Sequence, residues 1–175
     1  MKLLPYAKAV TGMIALATVT LVSAQASPNT LTIDLDRQTS SVTVIDLAPK
    51  PISPGMALEM AATLRNTSGG RLESLTLDPK ALNEATGALT LMAERCSEPW
   101  EPHDRSGTGP AFTCPGDTSV ALSPRPMASG PGALTGLAVH SPDGVDYLRV
   151  TLQAPLQSAG DQVAEARLTL LTHPS

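Results

Sequence analysis

Hydrophobic and polar residues alternate in short segments along most of the chain, with the period expected of β-strands that bury one face. In the first such segment, Leu31, Ile33 and Leu35 fall on one side and Asp34 and Asp36 on the other. Similar segments follow at 41–47, 56–66, 71–77, 88–96, 118–122, 132–140, 145–155 and 163–173. Turn-forming residues separate nearly all of them, and the chain holds 16 prolines and 13 glycines. The pattern predicts an all-β fold, an antiparallel sandwich.

Helical patterns are scarce in comparison. Residues 78–87 predict one helical turn, whereas 163–171 contains helix-forming residues but is too short and lacks capping residues, so we predict a strand there. Asn66 begins an N-glycosylation sequon, Asn-Thr-Ser, but its turn-rich surroundings favour a simple hairpin turn.

The first 26 residues are typical of a secretory signal peptide. Two lysines stand before or beside an apolar run at 13–22, and the small residues Ala24 and Ala26 follow it in an A-x-A arrangement. The run is too short to span a bilayer as a helix. We predict cleavage after Ala26, with Ala24 as the alternative, which leaves residues 27–175 as a single secreted domain, extracellular or at the cell surface.

The mature chain is acidic and poor in aromatic residues. Without Lys2 and Lys8, ten basic residues remain against 16 acidic ones, a net charge of −6. Such a charge argues against nucleic acid as a partner and against anionic membranes after signal cleavage. Trp100, Phe112 and Tyr147 are the only aromatic residues of the mature chain. Its core must therefore consist of aliphatic side chains and methionine.

Cys96 and Cys114 are the only cysteines. In an exported chain, two cysteines most simply form one disulfide. Closing this loop would stabilise the fold by about 3 kcal/mol. The prolines, glycines and charged residues of the loop favour a position on the surface, because burial would leave polar groups unpaired. Trp100, within the loop, is expected to fold back onto the sandwich as a small satellite cluster.

Metal binding and catalysis are the alternatives for this loop. Two thiolates 18 positions apart would need two more ligands to hold a metal, and no C-x-x-C or H-x-x-x-H motif accompanies them. His103 and Asp104 could share one ion, but solvated polar residues are the commoner explanation in a loop rich in proline, glycine and serine. His140 and His173 lie far away along the chain, and no zinc-protease, nucleophile-elbow, phosphate-loop or dinucleotide motif occurs. We therefore predict no catalytic residue, no cofactor, no metal site and no enzymatic activity.

Several segments are informative through their order along the chain. They are Pro54-Gly55 before an apolar strand, the stretch LRNTSGGRLESLTL at 64–77, the Cys-Ser-x-x-Trp motif at 96–100 with the returning Cys114, and YLRVTLQAP at 147–155 before a last strand. This order resembles the TasA/camelysin family of secreted bacterial β-sandwich proteins, in particular its actinobacterial members. The resemblance covers roughly residues 31–171.

The resemblance implies a jelly-roll-like sandwich, which makes a jelly-roll or immunoglobulin-like β-sandwich with one disulfide-stapled loop the expected fold. It also implies export and, as in some members of the family, assembly into surface or biofilm-matrix fibres. In such fibres the N-terminal strand of one subunit completes the sheet of the next. Leu31, Ile33 and Leu35 would then form the donor strand, and the partners would be further copies, related secreted proteins and a signal peptidase.

Three functional hypotheses follow. We favour a secreted structural protein of the surface or extracellular matrix that self-assembles. The first alternative is a monomeric secreted binding module that uses the loop between Cys96 and Cys114 as its contact surface. The second alternative is a metallopeptidase, a label attached to camelysin, although no residues of this chain form a recognisable zinc or nucleophile site.

Overall fold

The computed structural model describes residues 30–36, 41–105, 109–156 and 162–174. The predicted signal peptide, residues 1–26, and both candidate cleavage sites lie outside these residues. Strands make up most of the described chain. Their bounds are β1 Thr30–Leu35, β2 Ser41–Ile52, β3 Ala57–Asn66, β4 Leu72–Ala81, β5 Thr90–Cys96, β6 Glu101–Arg105, β7 Gly109–Thr113, β8 Thr118–Pro126, β9 Gly132–Ala133, β10 Val145–Gln153 and β11 Gln162–Pro174.

Two sheets pack face to face, as predicted for a β-sandwich. The first sheet has the strand order β1-β3-β10-β5-β8, the second has the order β2-β11-β4-β9, and β6 pairs with β7 alone. Without β1 and the β6–β7 pair, the eight remaining strands follow the order of a jelly roll, with four strands in each sheet. The predicted all-β class is confirmed. One pairing departs from the antiparallel prediction, because β1 runs parallel to β3.

The core between the sheets is aliphatic, as the composition predicts. Strand β10 shows how alternation produces it, since Leu148, Val150 and Leu152 are buried while Arg149 points to the opposite face. The main buried cluster contains leucine, isoleucine, valine, alanine and methionine, with no aromatic residue among the described members. Trp100 and Phe112 belong to a separate, smaller cluster.

The connections at the ends of the sandwich agree with the prediction in one case and differ in another. The predicted helical turn is present as α1, Glu84–Gly87, whose N-cap Asn83 accepts a hydrogen bond from the Thr86 N–H. The predicted strand at 132–140 is mostly wrong. Only β9 pairs there, because the left-handed Gly136 (φ 70°) breaks the extended path and a 3-10 helix, Ala138–His140, follows. Within the described residues, no helix is long and apolar enough to cross a membrane.

Candidate functional site

The N-terminal strand β1 lies at the edge of the first sheet, where β3 is its only neighbour among the described strands. Its register places Leu31 opposite Ala62 and Leu35 opposite Asn66. Ile33 and Leu35 are 4% and 0% exposed, and Leu31 is half-buried against the same core cluster. The three proposed donor residues therefore all face the core. The position beside β3 that β1 occupies is called the seat of β1 below.

The C-terminal end of β1 is held by the turn that follows β3. The carbonyl oxygen of Leu35 accepts hydrogen bonds from the backbone N–H of Thr67 at 3.0 Å and from its hydroxyl at 3.4 Å. Parallel pairing is slightly less stable per residue than antiparallel pairing. β1 thus combines an edge position with a parallel pairing, and it is not one of the eight strands that form the jelly roll.

The sequon residue Asn66 is the last residue of β3, next to this turn, and is not available for a glycan. It is 2% exposed, and its amide nitrogen donates to the carbonyls of Gly70, Val139 and Ser141 at 2.9–3.0 Å. The turn is also not a hairpin, since β3 and β4 belong to different sheets. Through these hydrogen bonds, Asn66 links the connection between β3 and β4 to the 3-10 helix that contains Val139.

The predicted disulfide between Cys96 and Cys114 is present, with the two Cα atoms 5.7 Å apart. The chain between the cysteines includes the antiparallel pair of β6 and β7, which we call the stapled hairpin. Glu101, Pro102 and His103 are exposed, in agreement with the predicted surface position. The returning strand differs from that prediction. Phe112 is 2% exposed because it packs on the outer face of the first sheet, the face turned away from the core.

Trp100 folds back onto the sandwich, as predicted. It packs with Ala61, Cys96 and Phe112, and Tyr147 lies against this cluster. The indole N–H of Trp100 donates to the carbonyl oxygen of Tyr147 at 3.0 Å, so the polar end of the buried ring has a partner. The stapled hairpin is therefore attached to β3, β5 and β10 at once.

A charged network lies beneath the hairpin. The Arg149 guanidinium pairs with Glu94 and with Glu59, the latter at 3.4 Å, and it donates to the carbonyl oxygen of Phe112 at 2.9 Å. The Phe112 N–H donates to the Glu59 carboxylate at 3.0 Å. The guanidinium also lies 4.5 Å from the centre of the Trp100 ring, a cation–π distance. Sequence patterns did not reveal this network, because its members are separated by up to 90 positions.

The two histidines with described side chains, His103 and His140, make separate contacts. His103 is exposed and lies 3.3 Å from the Thr113 hydroxyl, while His140 makes a hydrogen bond with the Leu72 carbonyl oxygen at 3.0 Å. The side chains of His173 and of Asp104, the residue that could share an ion with His103, lie outside the described part of the structure. In the part of the chain whose side chains are described, no three His, Cys, Asp or Glu residues form a group that could hold a metal ion.

Two shallow grooves lie on the described surface. One, of about 400 Å³, lies at the edge of β8 and includes Leu122, Arg125 and Thr135 in its wall. The other, of about 450 Å³, is lined by four residues that include Arg71 and His140. The wall of this second groove also includes Leu72 and Glu73.

Comparison of the chain with protein-family models, curated proteins and solved structures finds no match. The evidence for the fold, for the position of β1 and for the stapled hairpin therefore comes from this chain alone. The relationship to the TasA/camelysin family stays a prediction from the order of motifs.

Proposed function

We propose that this protein is a secreted structural protein of the bacterial surface or extracellular matrix that self-associates by exchange of β1. The observation that carries the proposal is the position of β1, a ninth strand added to the edge of a complete eight-stranded jelly roll. The disulfide is in keeping with an oxidising location outside the cytoplasm. Related secreted proteins and a signal peptidase are the further partners that this proposal includes.

Strand exchange conserves the contacts that hold β1 in its own subunit. Burial of Ile33 and Leu35 contributes about 1.5–3 kcal/mol each, and the same pockets and hydrogen bonds are offered by the β3 seat of another copy. The difference between the closed monomer and the exchanged chain is then small and depends on protein concentration. Each subunit donates one strand and accepts one, which is a heterologous contact that generates open filaments unless a ring closes.

The connection to β2 limits the geometry of exchange. Five Cα steps separate Asp36 from Ser41, the first residue of β2. A fully extended segment of that length spans at most about 18 Å. The accepting β3 must therefore lie close to the donor's β2, and we expect compact filaments whose subunits are in direct contact.

The decisive variants change only the core-facing side of β1. In the mature chain, residues 27–175, we expect Ile33→Asp combined with Leu35→Asp to abolish assembly, because neither carboxylate can be buried in the seat. Thr32→Asp is the matched control, since Thr32 is exposed on the same strand and its change adds the same type of charge. Size-exclusion chromatography and electron microscopy over a range of concentrations measure the outcome.

Deletion of residues 27–36 provides the second arm of this experiment. The truncated chain should be less stable and unable to form fibres, and a synthetic peptide of residues 27–36 should bind to it. Strand exchange is wrong if the truncated chain forms fibres as readily as the mature chain. A mature chain that stays monomeric at every concentration would favour the binding-module alternative instead.

A further inference from the structure

The stapled hairpin and β1 both engage the same strand, β3, from different sides. Ala61 of β3 is the register partner of Thr30 in β1, and its side chain lies in the cluster with Trp100 and Phe112 beneath the hairpin. The neighbouring Ala62, the register partner of Leu31, points into the core. Strand β3 is therefore covered on its outer face by the hairpin, on its inner face by the core and along one edge by β1.

The attachment of the hairpin to β3 is polar as well as apolar. The Glu59 carboxylate, whose side chain is 6% exposed, accepts the Phe112 N–H, and Arg149 donates to the Phe112 carbonyl. Both backbone groups of one hairpin residue are thus held by a charge pair that connects β3 to β10. Hydrogen bonds that involve a charged group are shorter and stronger than neutral ones.

Withdrawal of β1 would leave β3 as the edge of the first sheet, with β10 as its one remaining partner among the strands that the structure describes. Edge strands with few partners open locally at low free energy cost. The contacts of Glu59 and Ala61 with the hairpin do not depend on β1, because they lie on the outer face. They can hold β3 extended and in register while its edge is vacant.

We propose that Glu59 and Arg149, held under a hairpin closed by the Cys96–Cys114 disulfide, are positioning residues that keep β3 ready to accept a donor strand from a second copy. This inference rests on the proposed strand exchange. Strand exchange has two parts, acceptance of a foreign β1 beside β3 and donation of the chain's own β1, and the inference gives them different requirements. Acceptance needs the stapled hairpin, whereas donation does not, since β1 contains no part of the network.

The experiment measures acceptance alone, in a full mature chain that carries Ile33→Asp and Leu35→Asp, which we call the acceptor-only chain. Its own β1 cannot fill the seat, and the probe is a fluorescent synthetic peptide of residues 27–36. We expect Glu59→Gln, Arg149→Met and the pair Cys96→Ala with Cys114→Ala each to weaken peptide binding by about tenfold or more, about 1.4 kcal/mol. Arg149→Lys, which keeps the charge, should restore part of the affinity.

A merely structural role of the network would change acceptance and donation together. Donation is therefore measured as a second readout. The same substitutions are placed in a chain with an unchanged β1, and binding of that chain to the unsubstituted acceptor-only chain is measured. We expect donation not to decrease and to increase by up to about tenfold, because the weakened seat of the donor holds its own β1 less tightly and releases it for exchange. Glu73→Gln, an exposed carboxylate on β4 in the other sheet, is the matched control and should change neither acceptance nor donation.

The outcomes separate this inference from the proposed function. No binding of the peptide to the unsubstituted acceptor-only chain would contradict strand exchange itself. Equal binding to that chain and to the Glu59, Arg149 and cysteine variants would leave strand exchange intact and overturn the positioning role. Parallel loss of acceptance and donation would show that the network is needed only for folding, and so would a gross change in circular dichroism that includes the conservative Arg149→Lys. Either result would also overturn the positioning role.

Discussion

Asp146 shows how much of this molecule depends on single buried polar groups. Its side chain is fully buried near the start of β10, where it pairs with the Arg95 Nε at 2.6 Å. Its second oxygen accepts the backbone N–H of Val139 at 2.8 Å. The carboxylate therefore joins the first sheet to the 3-10 helix that precedes β10, and no sequence motif marks it.

Replacement of Asp146 should be costly. Asp146→Ala leaves the Val139 N–H without its acceptor and Arg95 without its partner, so we expect a loss of about 3 kcal/mol in the free energy of unfolding. Chemical denaturation followed by circular dichroism measures it. Asp117→Ala removes an exposed carboxylate and should be nearly neutral. Equal stabilities for the two variants would show that the buried pair contributes little.

The connection between β9 and β10 is the element that departs most from the strand pattern. It winds through a 3-10 helix and returns tightly, so that Gly144 donates to the Ser141 carbonyl at 3.1 Å and its own carbonyl accepts the Asn66 N–H at 2.9 Å. A Cβ atom at Gly144 would lie 2.0 Å from the carbonyl oxygen of Ala138. Only glycine permits this close approach of two backbone segments.

Two glycine-to-alanine substitutions test this interpretation of the connection. Gly144→Ala should destabilise the fold by about 2–3 kcal/mol, because the clash is with backbone atoms that cannot rotate away. Gly87→Ala, in α1, meets its nearest atom at 4.0 Å and should be neutral or stabilising by up to about 1 kcal/mol. Thermal unfolding of both variants compares them directly. Similar melting temperatures would contradict the close approach.

At the scale of the whole molecule, β1 differs from the other strands of the two sheets. It is parallel, it sits at an edge, and the eight-stranded jelly roll is complete without it. Strands β10 and β11, in contrast, have neighbours on both sides in their sheets. Stability should therefore be uneven, with β1 opening before the sandwich unfolds.

Native-state hydrogen exchange measures this difference in local stability. The amides of β1 should exchange at an opening free energy at least about 2 kcal/mol below that of the β10 amides, because β1 can leave without global unfolding. The measurement uses the mature chain at a concentration where it is monomeric. Equal protection of the two strands would mean that β1 belongs to the cooperative unit, which would weaken the case for its exchange.

The sequence by itself determined the all-β class, most strand positions, the core-facing side of β1, the disulfide and the return of Trp100 to the sheet. These features depend on local periodicity, on the count of cysteines and on the hydrophobicity of single side chains. Alternation with period two shows which residues share a face, whichever strand lies next to them.

Only the tertiary structure decided which strands are neighbours. The pairing of β1 with β3 in parallel, the turn at Asn66 that crosses between sheets, and the position of Arg149 between Glu59 and Glu94 all join residues far apart in the chain. Such pairings are selected by the combined burial of both sheets, and no segment carries that information alone. For this reason the stapled hairpin could be predicted as a closed loop, while its attachment to the strand that seats β1 could not.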